Sequence, residues 1–251
     1  IPIKKYNLKI STNNFISLNN NNLIISNNIS KYLFDIFNLV SVGSKRFLTN
    51  KVDRSVSGLI AQQQCVGPLQ TPLSNVAVTA QSYYSEKGSA MAIGEQPIKG
   101  LIDSQIMARM SIGEMLTNLV WAKISHFEDI KCSGNWMWAG KDETQGYHLY
   151  MAVKAVSELL EKLKIAIDGG KDSMSMKVNT EKTTIKSPNS FVVSGYAPCP
   201  NIEQVITPDL KRTDSHLFFI DLANHEAKLG GSALAQVYNQ IGNEFPDIRS
   251  N

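Results

Sequence analysis

Residues 101–123 read LIDSQIMARMSIGEMLTNLVWAK, and this stretch decides the fold class. Ile102, Ile106, Met110, Leu116, Leu119 and Val120 recur at three- and four-residue spacing, the period of a helix that lays one apolar face on a core. Asp103 near its start and Lys123 near its end suit the helix dipole. A second helix is predicted over 144–163, with Leu149, Val153, Val156, Leu159, Leu160 and Leu163 as its apolar stripe. Strands are predicted over 75–84, 89–93, 165–167, 173–178, 191–197 and 217–222, with strand plus loop over 127–135. Outside that core the spacing predicts a short strand over 45–50 and helices over 31–40, 53–64 and 232–241, Asp53 serving as an N-cap. Helices alternating with strands mean an α+β fold, a mixed α/β sandwich.

The 251 residues are 43% hydrophobic and 19% charged, with a formal charge of +3. That length suits one large domain or two modest ones, and the balanced charge advertises neither a nucleic-acid nor a membrane partner. No run of about 18 apolar residues exists, which excludes a membrane-spanning helix. Cys65, Cys132 and Cys199 form no CxxC pair, so neither a disulfide framework nor a zinc ribbon is expected. Buried thiols in a reducing cytoplasm are the expectation. The four histidines are equally scattered. The first residue is Ile1 rather than Met, so the chain is expected to be processed or cut from something longer. Asn13, Asn14, Asn19–Asn22, Asn27 and Asn28 make residues 1–40 a variable, Asn-rich lead-in.

Three groups of residues carry possible chemistry. Glu114 and Asn118 lie four apart on the long helix and project from one face, offering the oxygen ligands that Mg²⁺ requires. A capping or interhelical polar pair explains the same spacing. Asp168-Gly169-Gly170-Lys171-Asp172-Ser173 follows an apolar strand. Glycines admit an anion to backbone N–H groups, Lys171 neutralises it and Ser173 donates to it. The Walker A spacing is missing, and a simple hairpin turn reads equally well. In Gly134-Asn135-Trp136-Met137-Trp138, Asn135 and the tryptophans either line a pocket or pack as an aromatic cluster.

The stretches SKRFLTNKVDRSVSGLIAQQQCVGPLQTPLSNVAVTA, GEQPIKGLID, MSIGEMLTNLVWAKI, DIKCSGNWMWAG, DGGKDSMSMKV, ITPDLK and LGGSALAQVYNQIG together resemble the phosphoribosylformylglycinamidine synthase family, in its large single-chain form. The resemblance runs from about Ser41 to Asp247. It implies an aminoimidazole ribonucleotide synthetase-like N-terminal domain over 41–205, from the second half of the synthetase region. The connection and the beginning of the C-terminal domain of that half are implied over 206–251.

The family joins ammonia from glutamine to formylglycinamide ribonucleotide at the expense of ATP, as a carbon–nitrogen ligase of purine biosynthesis. The resemblance implies an auxiliary site for ATP or ADP with Mg²⁺ in this half. Lys45 and Ser74 match its nucleotide contacts, and Asn75, Glu114 and Asn118 its metal ligands. Asn75 stands where many relatives carry Asp, so an amide oxygen replaces a charged one. Asn135, Lys171, Asp172 and Ser173 match positions bordering the substrate pocket. The implied partners are the first synthetase half and the glutaminase domain of the same polypeptide, with no nucleic acid and no membrane. A glutaminase Cys–His–Glu motif is missing from these residues, so the segment is expected to be inactive alone. Two other readings fit the same fold: a stand-alone nucleotide-binding or scaffolding protein, and a small-molecule kinase or synthetase.

Overall fold

The computed structural model describes residues 8–10, 29–51, 54, 58–211, 214–221 and 228–248. Its centre is one six-stranded sheet built from β1 (Ile60–Gln62), β2 (Val76–Ala80), β3 (Gly88–Glu95), β4 (Lys131–Met137), β5 (Ala166–Ser173) and a later long strand, Ser190–Cys199. That last strand is β8, because a small separate hairpin of β6 (Lys177–Asn179) and β7 (Thr184–Lys186) precedes it. The sheet order is β1-β2-β3-β8-β4-β5, antiparallel throughout except for the parallel β4–β5 pair. β8 therefore inserts between β3 and β4, and a helix must cross over from each of β3 and β4 to a parallel strand.

Six α-helices and one short 3-10 helix (Phe127–Asp129) complete the described residues: α1 (Ile29–Phe37), α2 (Arg46–Lys51), α3 (Pro97–Gly100), α4 (Ser104–Leu119), α5 (Glu143–Leu163) and α6 (Ala233–Val237). α4 and α5 are the crossovers, and both lie on the same face of the sheet. Each starts on a side-chain cap. Asp103 accepts from the N–H groups of Gln105 and Ile106, and Asp142 from those of Thr144 and Gln145. Under them, Val76, Val78, Ala92, Cys132, Phe191 and Val193 join Met107, Ile112, Met115 and Val156 in one core. Gly94 is what lets α4 come so close. A Cβ there would stand 2.0 Å from the Ser111 carbonyl oxygen.

The mixed α/β architecture is as the sequence implies, but several elements differ. On α4 the buried side chains are Ser104, Met107, Ala108, Ser111, Ile112, Met115 and Leu119, so Leu119 alone belongs to the predicted stripe. The helix lies between the sheet and α5, with Ser111 against Gly94 and Met115 over Gly195 on the side pressed on the strands. Residues 45–50 form no strand; α2 occupies most of them. The predicted helix over 53–64 gives way to strand β1, and Asp53 itself lies outside the described residues. The strand predicted over 165–167 continues as β5 straight through the glycines to Ser173, and the one predicted over 173–178 breaks there, strand structure resuming only at β6. Residues 217–221 form no strand, residue 222 lies outside the described residues, and the predicted 232–241 helix shortens to α6.

The described part of the lead-in, residues 8–10 and 29–40, is peripheral. α1 buries no residue and meets α6 through Tyr32 and Tyr238, whose ring centroids are 6.2 Å apart. The Asn-rich positions lie outside the described residues. Residues 228–248 return to α4, where Arg109 and Asp247 form a two-pronged, largely buried ion pair at 2.8 and 2.7 Å. Among the described residues, no helix is long and apolar enough to cross a membrane.

Candidate functional site

Period-2 alternation sends one side of every strand to the helices and the other side away from them. On the helix-free face a groove of about 760 Å³ runs across β1, β2, β3 and β8. That volume is in the range of about 300–1,000 Å³ typical of ligand clefts. Ser74, Asn75, Glu114 and Asn118, four of the five residues matched to nucleotide and metal, line it. Lys45 does not; its ammonium donates to the Gly43 carbonyl.

The geometry explains why a helix reaches this face at all. β2 begins at Val76 opposite Ala92, so β3 beyond that point has lost its β2 partner. α4 supplies replacements. Asn118 Nδ2 donates to the Ile93 carbonyl at 2.9 Å, and the Glu95 N–H donates to Glu114 Oε2 at 2.9 Å. Asn75 Nδ2 donates to Asn118 Oδ1 at 3.3 Å, closing the three side chains into one cluster. Gln96 Nε2 also donates to Glu114 Oε2, at 2.7 Å, while Gln96 Oε1 accepts from Lys99 Nζ at 2.6 Å. Burial lowers the Lys99 pKa, and the charge of Glu114 opposes that fall.

The cluster is at once a polar cap on β3 and an oxygen-rich corner of the groove. Its donor set fits a hard cation: one carboxylate and two amide oxygens, with Asn75 able to turn its oxygen inward. It carries a single charge, so a bound cation needs anionic ligands from elsewhere. Among the described residues, no group of three His, Cys, Asp or Glu side chains is placed to hold a metal. Ser74 is buried, with its hydroxyl donating to the Val76 carbonyl at 3.0 Å. Its role here is to shape the turn into β2.

The second set of residues lies on the same face. Glu95 pairs with Val192, Val192 with Asn135 and Asn135 with Lys171, so these four form one row across β3, β8, β4 and β5. Because residues 166–173 form a strand and not a loop, their side chains alternate. Lys171 and Ser173 share the open face, with Lys171 Nζ donating to Ser173 Oγ at 2.6 Å. Asp172, paired with Trp136, belongs to the other side. Gly170, at φ +157°, is demanded by the strand pairing, since a Cβ there would meet the Gly134 carbonyl oxygen at 2.2 Å. Asn135 Oδ1 is buried with no hydrogen-bond partner. Trp136 stacks on Phe191 at 4.1 Å, and Trp138 is fully buried with its indole N–H on the Gln145 carbonyl at 2.9 Å. The tryptophans therefore pack the core, and only Asn135 and Met137 of that string face outward.

Other groove residues were not singled out by sequence. Among the described residues Arg54 is the cation that lines the groove, and its guanidinium donates to Gln70 Oε1 at 3.0 Å. Gln62 and Tyr196 line it too, and the Tyr196 hydroxyl donates to Asp168 on β5. Strand alternation within 191–197 would have found Tyr196, whereas Gln62 was hidden because residues 53–64 read as a helix.

A family model described as the FGAR-AT PurM_N-like domain matches residues 44–198. The phosphoribosylformylglycinamidine synthase of Drosophila melanogaster is 55% identical over 217 residues, covering 85% of this chain and 16% of that protein. The Homo sapiens protein of the same name is 50% identical over 215 residues, with 85% and 16% covered. The chain thus spans about 16% of the length of these curated relatives. A solved structure, PurLQS from Thermotoga maritima, shares the fold at a TM-score of 0.50 and 13% identity, over 83% of this chain and 28% of that one. The family match takes in every strand of the sheet except the last residue of β8, together with both covering helices, and the chain belongs to the FGAR-AT PurM_N-like domain family.

Proposed function

We propose that this chain is part of an ATP-dependent ligase that converts formylglycinamide ribonucleotide, glutamine and water to formylglycinamidine ribonucleotide and glutamate. In that reaction ATP phosphorylates the amide oxygen, and ammonia from glutamine displaces the phosphate, leaving ADP and phosphate. The division at 41–205 and 206–251, the other synthetase half and the glutaminase as partners, and a cytoplasmic setting are parts of the same proposal. The observation that carries it is the identity of 55% and 50% to two synthases over 85% of the chain.

Within that ligase the groove holds an auxiliary nucleotide with Mg²⁺. Glu114, Asn118 and Asn75 would ligate the cation, which when bound neutralises phosphate charge. Arg54 gives the groove a cation of its own, and Ser74 holds the turn that carries Asn75. The row from Asn135 to Lys171 and Ser173 borders the ribonucleotide substrate. An ammonium and a hydroxyl on one edge strand suit a phosphate group. Lys45 and Asp172, away from the groove and from the Asn135–Lys171 row respectively, keep their family assignments only if the rest of the polypeptide brings ligand to them.

The test is to assay the intact polypeptide with ATP, glutamine and formylglycinamide ribonucleotide. The expected products are the amidine, ADP, phosphate and glutamate. Lys171→Ala is expected to raise KM for the ribonucleotide about tenfold with little change in KM for ATP. No amidine from the wild-type polypeptide would overturn the reading.

A further inference from the structure

Glu114 does not hold itself. Its Oε2 takes two donors, the Glu95 N–H at 2.9 Å and Gln96 Nε2 at 2.7 Å. A primary amide presents one donating end and one accepting end, and coordinates alone do not distinguish them. Here the neighbours decide. Lys99 can only donate and a carboxylate can only accept, so the amide between them has one orientation that satisfies both. Lys99 Nζ lies 2.6 Å from Gln96 Oε1, which turns Nε2 to Glu114. Gln96 is the N-cap residue of α3, Pro97 follows it, and Lys99 is one turn on in the same helix. The lysine and glutamine are therefore brought together locally, whatever fills the groove.

We propose that Gln96, locked by Lys99, is the positioning residue of the cation corner. The pair occupies Glu114 Oε2 and leaves Oε1 as the oxygen offered to a divalent ion. This rests on the reading of Glu114 as a metal ligand. Outer partners of ligating carboxylates fix their orientation and charge distribution, and their loss typically weakens metal binding by about 10–100-fold. Gln96 touches neither nucleotide nor cation and acts only through Glu114.

The test uses Mn²⁺ as probe, titrated into the intact polypeptide at saturating ADP and followed by its paramagnetic resonance signal. Glu114→Ala is expected to abolish tight Mn²⁺ binding. Gln96→Ala and Lys99→Met are each expected to weaken it about tenfold. Lys99→Arg, which keeps a donor, is expected to restore it. Adding Gln96→Ala to Glu114→Ala should cost nothing further, since the two act as a unit. If Glu114→Ala loses Mn²⁺ while Gln96→Ala and Lys99→Met stay within about twofold of wild type, the positioning role is wrong and the metal reading survives. If Glu114→Ala binds Mn²⁺ normally, the metal reading fails and takes this proposal with it. Lys99→Met leaves Gln96 and its backbone in place, so the question stays answerable if Gln96→Ala does not fold.

Discussion

Asn75 is the residue on which the strength of the cation corner turns. Its amide donates to Asn118 Oδ1 at 3.3 Å, and of the three clustered side chains only Glu114 is a carboxylate, with Glu95 also lining the groove. Oxygen sites for hard cations are tuned by the number of charged ligands. Asn75→Asp is therefore expected to tighten Mg²⁺ on the order of 10-fold, measured by Mg²⁺ titration at fixed ADP. An unchanged affinity would place Asn75 outside the coordination shell. The sequence made Glu114 and Asn118 legible because helical spacing puts i and i+4 on one face without further information. It could not reveal Gln96 and Lys99, whose role depends on α3 bringing them beside a helix that starts after them. Arg54 was equally hidden, because residues 53–64 read as helix and the groove is formed by the strand that is there instead.

At the scale of elements, the contact of α4 with β3 is the critical joint. Gly94→Ala would push a methyl group against the Ser111 carbonyl oxygen, 2.0 Å from the new Cβ, and against the Met115 N–H. The expected loss is about 3 kcal/mol, seen as a lower denaturation midpoint in chemical unfolding. The same joint shows why periodicity misread α4: the helix is buried against both the sheet and α5, and small or polar residues such as Ala108 and Ser111 share the buried surface with Met107, Ile112 and Met115, so no single apolar stripe marks it.

The start of α5 supplies a pH dependence. Hydrogen bonds from Lys186 and Thr144 hold the Asp142 carboxyl well below the usual carboxylate range. A depressed folded pKa stabilises above the unfolded value of about 3.9 and loses that contribution as pH falls below it. Asp142→Ala is expected to cost about 1 kcal/mol at pH 7 and progressively less below about pH 4, by urea unfolding at a series of pH values. An equal cost at pH 7 and pH 3 would sink the argument. β5 was misread because Asp-Gly-Gly-Lys-Asp is turn chemistry locally. Pairing with β4 overrides that preference, and Gly170 is needed where the two backbones approach.

For the molecule as a whole, the described residues cover the sheet on one face and leave it open on the other. The covered face hides Cys132 and Cys199 below it and Cys65 beside it; all three are free and buried. Burial, with the charge of Asp168 adding to it, pushes the Cys132 thiol up to about 11. All three are expected to resist a thiol reagent at pH 8 and to react together on unfolding; fast labelling of any one would contradict this packing. The open face carries Met91, Ile93 and the groove, and across it the two sets of candidate residues, Lys45 and Asp172 excepted, fall on one surface although they are far apart in sequence. Fold class and family were legible in the sequence. The side on which each strand residue stands was not, because a shift of one residue in a strand limit reverses every assignment.

The central claim is that this open face binds nucleotide through a cation held by Glu114. It is tested most directly by calorimetric titration of ADP into the intact polypeptide, with Mg²⁺ and with the metal chelated, for wild type and Glu114→Ala. Mg²⁺-dependent binding by the wild type is expected, weakening at least about tenfold in the variant. Equal ADP affinity in the two proteins, with Mg²⁺ present, would contradict it.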